Sequence, residues 1–317
     1  MAPVLAGKEL PSHVRIVPDG LLGYLPFEVL LTEASESQDL RKLPYLIRQF
    51  PISYAYAVQL ATQSVEMETT LPYVGFAPSY DLDLASIVPA YREGDLQNLP
   101  WAKAEVEFAE ELFNGKAYYG TAASEAQLLA EDMTPAILHL SMHAILNDED
   151  PLHSRLVFSP TTQFGDLQVH EIYSLPIQSQ LVILSACNTG VGPLRSGEGI
   201  MSLARAFRYA GSPSVLTSLW VVDDEASYQM HRPFFEQLKA GKRKDEALQS
   251  ARLAFLESTD KFKAHPFYWA SLIQIGNVAP IQIYDTGSIL GYVLFAVLIL
   301  LGLLGFHHFR NSNTDNH

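Results

Sequence analysis

The chain has 317 residues, 48% hydrophobic and 18% charged. That composition excludes a disordered polymer and suffices for one large α/β domain with a substantial core, or for two small ones. A formal net charge of −14 disfavours nonspecific nucleic-acid binding and suits basic partners or substrates, and a single cysteine excludes an internal disulfide.

No basic segment followed by an apolar core opens the chain, so no signal peptide is read. Residues 14–17 and 52–56 read as short strands, with turns at Asp19-Gly20 and Leu43-Pro44. Residues 73–77 form a strand that stops at Pro78, and 80–100 a polar, Pro-punctuated loop. An amphipathic helix is predicted over 101–113, with Val106, Phe108, Ala109, Leu112 and Phe113 on the apolar face. Glu105, Glu107, Glu110 and Glu111 form its wet face. A helix over 124–132 takes Ser124 as N-cap. The apolar strand 136–143 ends at His143, a loop covers 147–151, and 156–158 is a hairpin-like strand. The strand 181–186, a helix over 199–209, a strand over 214–220 and helices over 225–239 and 245–257 follow. Strands alternating with helices predict a mainly parallel sheet with helices on both faces.

The segment 286–306 carries no charge. At 1.5 Å per residue it spans roughly 30 Å, one hydrocarbon core, which predicts a transmembrane helix after a domain at 1–280 and before a short polar tail, 307–317. Arg310 after the span favours a cytoplasmic tail by the positive-inside rule, on one arginine. The free thiol and the absence of a signal peptide favour a cytoplasmic catalytic domain with a C-terminal membrane anchor, and this orientation is adopted.

Cys187 closes the apolar run Leu181-Val182-Ile183-Leu184-Ser185-Ala186. Open α/β sheets place chemistry at the carboxyl ends of their strands. A thiol and an imidazole, Cys187 and His143, stand at two such ends, as a cysteine nucleophile and its base require. The bland alternative for Cys187 is a packed core thiol. His139 competes with His143, since residues four apart on a strand share a face, but it lies inside the apolar run and reads as a hydrogen-bonded core histidine. His153 reads as exposed. The spacing of His139, His143 and His153 matches no recognised ligand pattern, so no metal is assigned. Gly190, Gly192, Gly197 and Gly199 fit neither a P-loop nor a dinucleotide fingerprint, so no cofactor is assigned.

Several pieces occur in order: Pro18-Asp19-Gly20 with Leu25-Pro26-Phe27-Glu28, then 137–160 with His139, His143 and Ser154, then Leu184-Ser185-Ala186-Cys187-Asn188-Thr189-Gly190. Gly197-Glu198-Gly199, Leu203-Ala204-Arg205-Ala206-Phe207, 214–224, and His265-Pro266-Phe267-Tyr268-Trp269-Ala270 complete the set, which covers roughly 14–278. The ordered set resembles the CHAT-type peptidases, caspase-like and separase-like cysteine proteases of the caspase/gingipain clan. The resemblance implies a caspase-like fold, Cys187 as nucleophile and His143 as base. It implies an oxyanion site from the amides of Cys187 and Ala144. Glycine is usual at the latter position, and alanine resists positive φ. It also implies that Asp224, beside Asp223, lines the S1 pocket and selects a P1 arginine or lysine by charge-assisted bonds. The alternative for both acids is a solvated pair or a helix cap. Arg155 and Arg195 are the remaining candidates for binding an acidic P1 residue. Glu198 is read as a structural cap, and Arg195 as a candidate self-processing site.

The family implies a bacterial setting, a protein substrate, and activation by a partner or by upstream TPR repeats, which are expected outside this chain because no 34-residue period lies within it. The first functional reading is a membrane-anchored cysteine endopeptidase. A catalytically silent scaffold tethered to the membrane and an amidase acting on small substrates are the alternatives.

Overall fold

The computed structural model describes residues 11–58, 67–80, 96, 98–147, 149–159, 166–185, 187–188, 198–221 and 223–283, with the backbone alone at 187–188 and 198–200. From the amino end, β1 (Val14–Ile16) and β2 (Ile52–Tyr54) precede β3 (Leu71–Ala77), α1 (Pro100–Phe113), β4 (Lys116–Tyr119) and α2 (Glu125–Ala130). Then come β5 (Pro135–Leu140), β6 (His143–Ile145), β7 (Arg155–Val157), β8 (Asp166–Gln168), α3 (Val169–Ile172), β9 (Leu181–Leu184) and β10 (Cys187–Asn188). The remainder is α4 (Glu198–Tyr209), β11 (Ser214–Ser218), α5 (Asp224–Lys239), α6 (Lys244–Ser258), α7 (Pro266–Trp269) and β12 (Leu272–Gly276).

An eight-stranded sheet has the order β1-β2-β12-β11-β9-β5-β3-β4. Every neighbouring pair is parallel except β11 with β12, so the sheet is mainly parallel, as the alternation of elements predicts. The antiparallel step has a local cause: between β11 and β12 the chain runs down one long helix, α5, and back along another, α6, with α7 only a single turn, so it enters β12 from the end at which β11 finished. A second, four-stranded sheet, β10-β6-β7-β8, grows from the carboxyl ends of β5 and β9.

Alternation along the strands sorts the core into two layers. Val74, Phe76, Leu138, Leu140, Val182, Leu184 and Val215 pack with Leu203 and Phe207 of α4 and with Leu156 and Leu167 of the small sheet. Tyr73, Gly75 and His139 alternate with these and meet α1 on the other face. Helices therefore cover both faces. The N-cap of α2 is Ser124, whose side chain accepts from the Gln127 amide, as its sequence predicts.

The amino-terminal segment is pinned to α6 by a buried ion pair. Arg252 and Glu28 are both inaccessible to solvent and 2.7 Å apart. The Tyr54 hydroxyl donates to the other Glu28 oxygen at 2.5 Å and accepts from the Phe27 amide. Removing one partner of such a pair leaves a buried charge uncompensated.

Candidate active site

β5 and β9 lie side by side with Leu140 opposite Leu184. Both strands then leave the main sheet. The Ser141 amide donates to the Phe76 carbonyl and the Ser185 amide to the Leu140 carbonyl, closing the ladder at the departure. Three residues beyond each leucine the chains pair again, in parallel, with Cys187 opposite His143 and Asn188 opposite Ala144. Register partners on adjacent strands lie about 4.8 Å apart. The two residues selected from sequence as nucleophile and base are thus direct neighbours on adjoining strands.

His143 is buried, with 3% of its surface accessible. Its amide donates to the Tyr80 hydroxyl at 3.1 Å, and that hydroxyl donates to the Val157 carbonyl at 2.7 Å. The Tyr80 ring lies 4.6 Å from the imidazole, centroid to centroid, tilted by 52°. Tyr80 thus bridges β6 and β7 and packs against the imidazole. It falls in the stretch read from sequence as a polar loop, where no periodic signal singles it out. Its own amide donates to the Asn98 side chain, just ahead of α1.

Ala144 is buried and extended, paired with Leu156 on one side and Asn188 on the other. Among the described residues, Asn114 is the single non-glycine residue with positive φ. Alanine at 144 therefore costs no left-handed strain.

Asp223 caps α5, its carboxylate accepting from the Ala226 amide at 2.9 Å. Asp224 reaches away from its own helix to α1 and accepts from the Trp101 amide at 2.9 Å. The N-cap position of α1, Leu99, has no side-chain acceptor of its own, so an acid from α5 satisfies one of its orphan amides. Burial pushes the Asp224 carboxyl up to about 6, outweighing the Trp101 amide bond that pulls it down. The path Asp224–Trp101, Asn98–Tyr80 and Tyr80–His143 joins the start of α5 to β6 through three short segments.

Behind these elements lies a polar cluster. His139 is fully buried, as its place in the apolar run predicts, and both ring nitrogens are engaged: Nδ1 with the Tyr73 hydroxyl at 2.8 Å, Nε2 with Glu105 Oε1 at 2.8 Å. Burial lowers its pKa, so it is neutral: Nε2–H donates to Glu105, and Nδ1 accepts from Tyr73. Glu105 Oε2 is 3.2 Å from His231 Nδ1 and 3.4 Å from the Ser227 hydroxyl. Burial opposes the Glu105 charge, but His231 and His139 beside it hold its carboxyl well below the usual range. Burial likewise opposes protonation of His231, and the Glu105 carboxylate raises it above the ordinary imidazole value.

Glu105 corrects the sequence reading. Its charge predicts the wet face of its helix, yet it is 2% exposed, while Glu107 and Glu111 are exposed. It lies on the stripe Ala102, Glu105, Val106, Ala109, Phe113, which the helical period turns inward, and two imidazoles offset its desolvation. His231 and Ser227, one turn apart on α5, escaped the sequence reading altogether.

His153 is exposed and pairs with Asp150 at 2.9 Å. Arg155, on β7, pairs with Asp166 at 2.9 Å. Arg195 and the 286–306 segment lie outside the described residues. Among the described residues no helix is long and apolar enough to cross a membrane.

Tetratricopeptide repeat protein 28 of Homo sapiens is 29% identical over 132 residues, 42% of this chain but 5% of that protein, so the chain spans a small fraction of the curated relative it matches. Among solved structures, the Arg-specific cysteine proteinase gingipain R aligns over 74% of this chain and 55% of its own, with 10% identity and a TM-score of 0.44. The Saccharomyces cerevisiae separase–securin complex aligns over 84% of this chain and 16% of its own, with 14% identity and a TM-score of 0.48. The family model for the CHAT domain matches residues 1–277. Matched over most of its length, the chain belongs to the CHAT domain family.

Proposed function

We propose that this CHAT domain is a cysteine endopeptidase that cleaves protein substrates after a basic residue. The observation that carries the reading is the register of β10 on β6, Cys187 opposite His143. In the mechanism, the His143 imidazole takes the proton from the Cys187 thiol as the sulfur attacks the scissile carbonyl. The Cys187 and Ala144 amides donate to the oxyanion. His143 then returns the proton to the leaving amine, and water, deprotonated by the same imidazole, hydrolyses the thioester to free the acid and the thiol.

Asp224 is the proposed S1 acid. Its half-buried carboxyl is partly neutral at neutral pH because burial disfavours its charge. A guanidinium entering beside it restores the charge and gains a paired, charge-assisted contact, so the site favours arginine over an uncharged side chain. Asp223 is committed to capping α5 and contributes field rather than contact.

The likeness to a tetratricopeptide repeat protein supports an upstream repeat region as the activating element. The same likeness favours the second reading, in which the domain serves as an interaction scaffold. The anchor at 286–306 belongs to the proposal on hydropathy alone.

The test is a panel of fluorogenic peptides varied at P1, with Cys187→Ala and His143→Ala as controls. Release after Arg or Lys that both substitutions abolish supports the peptidase. Release only after Asp refutes the role of Asp224. Silence from the full chain, with and without an added TPR region, favours the scaffold.

A further inference from the structure

Each member of the proposed site stands close in sequence to a residue of the polar cluster behind it. His139 lies four residues before His143. Ser185 lies two before Cys187, and its hydroxyl is 3.3 Å from that of Ser227. Ser227 lies one turn beyond Asp224 and is also 3.3 Å from His231 Nδ1. Glu105 lies in α1, whose first turn is capped by Asp224. All five residues are buried. An apolar cluster of the same volume would hold these elements together at lower desolvation cost, and polar networks are worth retaining where they fix one geometry.

The sequence makes room for this geometry at one point. Gly75 stands opposite His139 in the β3–β5 register. A Cβ there would lie 2.5 Å from the Tyr73 hydroxyl and 2.8 Å from Val106 Cγ1. Only a bare α-carbon lets Tyr73 reach His139 while α1 packs close.

We infer that Glu105, Ser227 and His231, with His139 and Ser185, form a positioning frame that sets the nucleophile strand, the base strand and the S1 helix in one relative arrangement. The inference rests on the peptidase reading, and none of the five is a catalytic residue, since none meets the substrate. Ser227 is the hub: its hydroxyl donates to Glu105 and accepts from Ser185. His231 donates through Nδ1 to Glu105 and the Ser227 carbonyl, 3.0 Å away. Loss of that hydroxyl uncouples β9 from α5 while leaving the apolar packing in place.

The experiment uses the full chain and an arginine P1 coumarin peptide, with Ser227→Ala, Ser227→Thr, Ser185→Ala, Gly75→Ala and Cys187→Ala. Near-UV circular dichroism selects the variants that keep native packing. Ser227→Ala and Ser185→Ala are expected to lower kcat at least about fivefold with KM within about twofold, because misalignment of reacting groups acts on turnover. Ser227→Thr is expected to restore kcat, and Gly75→Ala to lower it as Ser227→Ala does. Natively packed Ser227→Ala and Ser185→Ala with unchanged kcat would overturn the frame. If the unsubstituted chain, with and without an added TPR region, shows no Cys187-dependent cleavage, the peptidase reading fails by itself. The frame is then read from the rate at which iodoacetamide alkylates Cys187, the single thiol of the chain. A change of at least about threefold in Ser227→Ala supports it, and an unchanged rate overturns it.

Discussion

Asp224→Asn separates what the acid does for function from what it does to stability. In the folded chain burial raises the Asp224 carboxyl from 3.8 to about 6. Between those values the folded state binds more protons than the unfolded one, so stability falls as pH rises through the window, and the full penalty is present above it. The separation of the two values corresponds to about 3 kcal/mol. Partial solvent access discounts that figure, and the helix-end amides are already counted in the raised value. About 1 kcal/mol remains. Asparagine keeps an oxygen for the Trp101 amide but carries no charge to desolvate. The variant should therefore be more stable than the parent by about 1 kcal/mol at pH 7.5, or about 2–4 °C in Tm. The gain should shrink at pH 4.5. Urea unfolding followed by tryptophan fluorescence measures both. The same variant should lose cleavage after arginine while Cys187 still alkylates. A variant less stable than the parent at pH 7.5, or a gain independent of pH, would refute the argument that this carboxylate is held against its solvation.

Three further outcomes follow from single contacts. Tyr80→Phe removes the hydroxyl that accepts from the His143 amide and donates to the Val157 carbonyl; it should cost about 1–3 kcal/mol in urea unfolding. Because that hydroxyl also holds the base strand, turnover on the arginine peptide should drop with little change in KM. Glu28→Gln leaves Arg252 buried without its charge partner and should cost about 3–5 kcal/mol, read by the urea midpoint. Lys244 is buried with its ammonium donating to the Ala279 carbonyl, and burial lowers its pKa from 10.5 to about 7. The unfolded chain binds the extra proton between those values, so stability should rise with pH from 7 to 10, and Lys244→Met should flatten that rise in urea midpoints taken across the range.

The strands and helices that read clearly from sequence are those whose periods are uninterrupted: the apolar runs of β5 and β9, and the amphipathic α1, α4 and α5. Two kinds of feature did not read. Short strands such as β4, Lys116–Tyr119, and β8, Asp166–Gln168, hold too few alternations to stand out from a loop. Charged residues on an inward stripe were assigned outward by their chemistry. Glu105 is the instance: its position in the helical period says buried, its side chain says exposed, and the deciding fact is the presence of His139 and His231, which come from β5 and α5. Compensation by residues 34 and 126 positions away is a tertiary fact, invisible along the chain. Asp224 shows the same limit. A cap was weighed for the acid pair, but the helix that Asp224 caps is α1, over a hundred residues earlier.

The pairing of Cys187 with His143 depends on an equality in the sequence. Leu140 and Leu184 are register partners at the end of the main sheet, and on each chain pairing resumes at the third residue beyond. Equal departures carry the register across the break, whereas unequal ones would slip β10 against β6 by one residue and reverse which face each side chain takes. One alanine inserted between Met142 and His143 should therefore leave the Leu140–Leu184 ladder and the main sheet intact, with a melting transition close to the parent's. It should lower turnover at least about 100-fold, because the base no longer stands opposite the thiol. A second alanine between Ala186 and Cys187 makes the departures equal again and should recover at least about tenfold of that loss. Far-ultraviolet circular dichroism verifies the sheet, and the arginine peptide reads the rest. If the single insertion cleaved as well as the parent, or the paired insertion no better than the single one, the register would not be what brings nucleophile and base together.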